Sequence, residues 1–128
     1  MTFVAVDQNR ERLTELTRLL LEAFPGSVIY QHTNPLKAPR DVRGNRVDAV
    51  FAQLDPVDPA GAALPHILHL EKADLPVFLL TDDGQSGGAV PGGHGAVCLA
   101  RPLSAELLRE RLSGVLQPDM SGLQQACV

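Results

Sequence analysis

The sequence lacks the features that mark several functional classes. Its 128 residues include only two cysteines, Cys98 inside an apolar run and Cys127 beside the end, which leaves no basis for a disulfide framework. There is no basic surplus either: eleven Lys and Arg stand against fifteen Asp and Glu, a formal net charge of -4 with a pI near 5.4. A sequence-independent nucleic-acid binder concentrates cations on one face to neutralise phosphates, so no direct nucleic-acid binding is expected. The apolar runs are strand-length at most, and no positively charged start precedes one. Neither a signal peptide nor a transmembrane helix is therefore expected, and the reading is a cytoplasmic protein without a membrane partner.

What is present suits one folded domain. Hydrophobic residues make up 45% and charged residues 20%, ordinary globular usage, and the length supports a single core. Thr2 to Val6 reads as a strand buried on both faces and closed by Asp7. Asn9 can cap a helix over Arg10 to Phe24, where Leu13, Leu16, Leu20, Ala23 and Phe24 recur at helical spacing before Pro25-Gly26 ends it. Ser27 to Gln31 is a second strand. Asn34 to Gly44 holds a short or distorted helix, limited by Pro35 and Pro39. Val47 to Gln53 is the central strand, and Leu54 to Ala60 a loop. Gly61 to Lys72 is a helix with Pro65 placed near its first turn, and Leu75 to Leu80 a fourth strand.

From Asp82 to Gly95 there are six glycines and one proline in fourteen residues, which disfavours a stable helix because each interior glycine costs about 1 kcal/mol relative to alanine. Ala96 to Ala100 is a fifth strand. Ser104 is an N-cap for a last helix carrying Leu107, Leu108, Leu112 and Val115 on one face, with Glu106 near its positive end. The expected architecture is α/β: a doubly wound five-stranded parallel sheet, order 2-1-3-4-5, with helices on both faces and the fourth helix short or missing. Residues 1–117 form the domain and 118–128 a flexible tail.

In such sheets ligands bind beyond the carboxyl ends of the strands. The residues there are Asp7, Gln53, Thr81 and Arg101, a carboxylate, an amide, a hydroxyl and a guanidinium brought together by topology. At this point the chain, over about residues 2 to 116, resembles the receiver domain of two-component response regulators. That family has an acidic pair after the first strand, here Asp7-Gln8. It has a phosphorylated aspartate after the third strand, here Gln53. A Thr or Ser follows its fourth strand, here Thr81, and a Lys-Pro its fifth, here Arg101-Pro102. Gly61 matches a glycine at the start of its third helix, and Gly95 to Leu103 looks like its fifth-strand signature. The family's aromatic switch position is held by Cys98.

The departures carry the functional reading. A neutral amide at Gln53 is no nucleophile for phosphoryl transfer, and Gln8 removes a second carboxylate, so the resemblance implies no Mg²⁺ site and no cofactor. Arg101 replaces a compact ammonium by a planar fork, and it is expected to pair with Asp7. Asp7 itself is a metal ligand or, more simply, a cap between strand and helix. Asp55, two residues beyond Gln53, is the alternative acceptor; as loop residues, Asp55 and Asp58 are ordinary solvated carboxylates. His66 and His69, at i and i+3, lack a third metal ligand in sequence and read as exposed helix residues. Cys98 reads as a small buried hydrophobe.

The resulting expectation is a receiver-like signalling domain that is not an enzyme and is not phosphorylated. It would act by binding a protein partner or itself through the last strand and helix and the glycine-rich segment. The alternatives are a small anion- or nucleotide-binding flavodoxin-like domain and a conventional receiver phosphorylated on Asp55.

Overall fold

The computed structural model describes residues 1–53, 59–81, 97–100 and 103–116, with the backbone alone for 59–62, 81, 98, 100 and 114–116. Strands β1 (Thr2–Val6), β2 (Val28–His32), β3 (Ala49–Gln53) and β4 (Val77–Thr81) form a parallel sheet in the order β2-β1-β3-β4, and the short β5 (Val97–Ala100) runs parallel beside β4. Helices α1 (Arg10–Ala23), α2 (Ala38–Gly44) and α3 (Pro59–Glu71) lie in the crossovers between β1, β2, β3 and β4, and with α4 (Ala105–Leu116), after β5, they form the two covering layers. The glycine-rich run 82–95 and the tail lie outside the described residues.

Alternation along the strands divides the core into two halves. Phe3 and Ala5, Ala49 and Phe51, Phe78 and Leu80, and Leu99 pack with Leu13, Leu16, Leu19, Leu20 and Ala23 of α1 and Ala105, Leu108 and Leu112 of α4. Val4 and Val6, Val50 and Ala52, Val77 and Leu79 point the other way, against Ala38 and Val42 of α2 and Leu64 and Leu68 of α3. Strands β1, β3 and β4 are therefore apolar at consecutive positions, as a sheet covered on both faces requires, whereas the edge strand β2 is half exposed. All four phenylalanines lie in one row on the first face. Phe24 meets Phe3 at 5.6 Å, Phe3 meets Phe51 edge-on at 5.8 Å, and Phe51 stacks on its cross-strand partner Phe78 at 5.0 Å.

The helix ends follow local chemistry. Asn9 caps α1, its side-chain oxygen accepting from the Arg12 N–H at 3.0 Å. Gly26, at φ 85°, makes the left-handed turn after it that other residues adopt at a cost. The segment with Pro35 and Pro39 splits into a 3₁₀ turn (Pro35–Lys37) and α2. Both prolines occupy first-turn positions, where the missing N–H has no helical acceptor to lose. For α3 the expectation needs correcting. The helix starts at Pro59, not Gly61, so Pro59 takes the tolerated first position and Pro65 falls in the interior. Buried Pro65 there removes one i→i−4 bond and crowds the preceding turn, a cost accepted where Leu64 and Leu68 hold the helix to the sheet.

Two long-range polar contacts tie the second layer together. Asp48 accepts from the Thr2 N–H at 2.8 Å. Arg43 of α2 grips Glu71 of α3 with both Nε and Nη2, at 3.2 and 2.8 Å. The hydrogen bond from Arg43 lowers the Glu71 carboxyl below its ordinary value. Two outcomes follow. Phe51→Ala, which opens the middle of the aromatic row, should cost about 3–5 kcal/mol in denaturant unfolding. Since the Glu71 pKa is depressed on folding, the pair's contribution is present above the ordinary carboxylate range and lost as pH falls through the lowered folded value. Glu71→Gln should therefore flatten the acid limb of the stability profile while changing neutral-pH stability little, as expected of a surface pair.

Candidate functional site

The strand register assembles the carboxyl edge of the sheet. Val6 lies beside Ala52, Gln53 beside Leu80, and Thr81 beside Ala100. Asp7, immediately after β1, thus emerges level with Gln53 at the end of β3, and Thr81 ends β4 one step further on. The β1–β2 ladder also continues past the strand, because the Asp7 N–H donates to the His32 carbonyl at 3.1 Å. The topology therefore brings the backbones of Asp7, Gln53 and Thr81 to one edge, as the sequence reading required. Arg101, Pro102, Asp55 and Asp58 lie outside the described residues, as do the side chains of Thr81 and Cys98.

Asp7 is the one fully buried polar or charged residue among the described residues. A carboxylate taken out of water needs hydrogen bonds and an opposite charge, and its neighbours in sequence supply both. Oδ1 accepts from the Asn9 N–H at 2.8 Å, closing an Asx turn between β1 and α1. Oδ2 meets the Arg12 Nε at 3.2 Å. Asn9 in turn caps α1 through the Arg12 N–H, so the carboxylate, the cap and the guanidinium form one unit six residues long. Gln8 stands between them, exposed.

Arg12 is a partner of Asp7 that the sequence reading did not name; the expected pairing of Asp7 with Arg101 falls on a residue outside the described ones. The signal was available, since a cation in the first turn of a helix that follows a strand-ending aspartate is within reach of it. Asp7 closes the turn between strand and helix, while the cap of α1 itself is Asn9.

Two other polar contacts involve histidines, the first at this edge and the second at the opposite, amino edge of the sheet. His32, at the end of β2, pairs through Nε2 with Asp41 of α2, and both are largely buried. No spacing in the sequence signalled this pair. His69 is half-buried, not exposed, and its Nε2 contacts the Leu75 carbonyl at 2.9 Å, fixing the end of α3 to the turn before β4. His66 is exposed, and no group of three or more His, Cys, Asp or Glu suited to a metal ion occurs among the described residues.

Because Arg12 neutralises a buried charge, Arg12→Ala should destabilise the domain by about 1–3 kcal/mol. Asp7→Asn keeps an acceptor for the Asn9 N–H. Adding it to Arg12→Ala should therefore cost less than the sum of the two single changes, measured as a double-mutant cycle of urea unfolding.

No family model and no curated protein matches the sequence. Solved structures do match the fold. A response regulator receiver domain protein from Clostridium thermocellum superposes with a TM-score of 0.77 at 16% identity, over 93% of this chain and 96% of that one. A response regulator receiver protein from Sinorhizobium medicae gives 0.75 at 18% identity, over 91% and 94%. A putative pilus assembly-related protein from Burkholderia pseudomallei gives 0.74 at 19% identity, over 91% and 89%. The chain thus has the fold of response regulator receiver domains.

Proposed function

We propose that this chain is a receiver-like signalling module that is not phosphorylated, is not an enzyme, and works by binding a protein. The fold alone does not decide this, since it also serves a protein described as pilus assembly-related; function has to be argued from the site. The observation that carries the reading is the pairing of Gln53 with an already compensated Asp7. Where the receiver resemblance places a nucleophilic carboxylate, β3 ends in an amide. Where it places metal-binding carboxylates, Asp7 has one oxygen on a backbone N–H and the other on a guanidinium, and Gln8 has no charge to offer.

These residues fit Mg²⁺ poorly. The ion asks for hard, negatively charged oxygens with room for its retained waters, and Asp7, the one strand-end carboxylate among the described residues, would have to give up Arg12 to serve. Acyl-phosphate formation needs an attacking carboxylate oxygen, which an amide does not supply. The anion-binding alternative is weakened by the same contact, because the positive charge of Arg12 is matched by Asp7.

The surface left for signalling is β5 and α4 together with the neighbouring glycine-rich segment. Val97 is exposed at the start of β5, and Glu106, Glu110 and Arg111 are exposed on α4. The partner on this reading is another protein or a second copy of the chain.

The test is intact mass after incubation with acetyl phosphate and Mg²⁺, for the natural chain, Gln53→Asp and Asp55→Asn. The natural chain should gain no phosphoryl group. A labile adduct on the natural chain that vanishes in Asp55→Asn would replace this reading with a conventional receiver using Asp55.

A further inference from the structure

The totals of charge conceal a local concentration. Lys37, Arg40, Arg43 and Arg46 follow one another at intervals of three residues, and all four are exposed. Ala38, Pro39 and Val42 take the inward side of α2. Residues three apart are neighbours on a helix surface, so Arg40 and Arg43, with Lys37 a turn earlier, share its outward side.

The carboxylates nearby are already engaged. Asp41 pairs with His32, Asp48 accepts from the Thr2 N–H, and Glu71 holds Arg43. Among the described residues the side chains of Lys37, Arg40 and Arg46 have no ion-pair or hydrogen-bond partner. Arg12 meets Asp7, Arg18 meets Glu15 and Glu22, Lys72 caps the Val47 carbonyl and Arg109 the Ala23 carbonyl. Among the described residues Arg10 and Arg111 are also without such a partner, but each stands apart from this run, which alone gathers three. Leu36, directly before Lys37, is 59% exposed. An uncompensated basic strip with an apolar residue at its end therefore stands on a chain whose net charge is -4.

We infer that the exposed surface of residues 36–46, the end of the 3₁₀ turn, α2 and the two residues after it, is a docking surface for an acidic amphipathic segment of a partner protein. Such a segment brings carboxylates to Lys37, Arg40 and Arg46 and an apolar side chain to Leu36. Charge complementarity of this kind sets encounter and orientation. Two other anionic partners fit less well. α2 is only roughly 10 Å long, short for following a nucleic-acid backbone, and the net negative charge of the chain opposes a broad anionic surface such as a bilayer. A short peptide can meet the strip alone. The inference is independent of the phosphorylation state of the strand-end site, which shares none of these residues.

The experiment uses the full chain and a fluorescein-labelled synthetic peptide that carries three glutamates and one leucine along one helical face, followed by fluorescence anisotropy over a salt series. The natural chain should bind the peptide at low ionic strength and release it as salt rises. Arg40→Glu/Arg46→Glu should weaken binding by at least about tenfold. Arg111→Glu, which reverses an exposed cation on α4, should leave it unchanged. Leu36→Ser should weaken binding several-fold without altering the salt dependence, which attraction to any basic surface would not produce. Unchanged far-UV circular dichroism in each variant shows that the fold is kept. The inference is overturned by absence of binding at low salt, by equal losses in the α2 and α4 variants, or by no effect of Leu36→Ser. Tighter binding of a duplex oligonucleotide or of phosphatidylserine vesicles than of the peptide would overturn it in favour of that ligand.

Discussion

A parallel strand covered by helices on both faces has to be apolar at consecutive positions, and that freedom ends where the covering layers end. The central strand shows the change over five residues: Ala49 to Ala52 are buried, and Gln53 is half-buried at the edge. The same demand makes β1 apolar through Val6 and then places a carboxylate next in line. Fold and candidate site are therefore two consequences of one constraint. The apolar part of each strand builds the two half-cores, and the first polar residue beyond it comes out on a shared edge because the register is common to all the strands.

Asp7 lies on that boundary with its charge out of reach of water, and this makes its compensation decisive. An ion withdrawn from solvent needs several kcal/mol of favourable interaction in return. A divalent cation drawn from solution is one way to supply this; a guanidinium from the next turn of chain is another. The second is present here, through Arg12, and the Asn9 N–H adds to it. That share of the compensation forms with β1 and the first turn of α1. With Gln53 neutral and Asp7 matched, the described part of the strand-end site carries no net charge.

Much of this was legible in the sequence because it depended on period and punctuation. The alternating strands, the leucine spacing of α1, the Asn9 cap and the stop at Pro25-Gly26 are local signals, and each appears where the residues put it. Pro65 was misplaced because a tolerable proline is recognised by its distance from the helix start, and that start at Pro59 lay hidden among the prolines and aspartates of the loop before it. The burial of Asp7 could be inferred from the fold, but the contact from Arg12, five positions along, was not named because attention went to the distant strand ends. His32 with Asp41, and His69 with the Leu75 carbonyl, depend on how an edge strand or a helix end settles against its neighbour. No spacing in the sequence encodes either.

The placement of charge gives the last step. In the described residues the carboxyl edge of the sheet is balanced internally, whereas α2 and its flanks present Lys37, Arg40 and Arg46 with no carboxylate partner among the described residues. Buried charges are compensated because leaving them bare costs stability. Exposed ones are under no such demand, since water solvates them. A surplus at the surface is therefore free to vary with function in a way that the Asp7 site is not. On the proposed reading, in which the strand-end chemistry is neutralised, the scaffold stays rigid and recognition resides on the faces that the core leaves unconstrained.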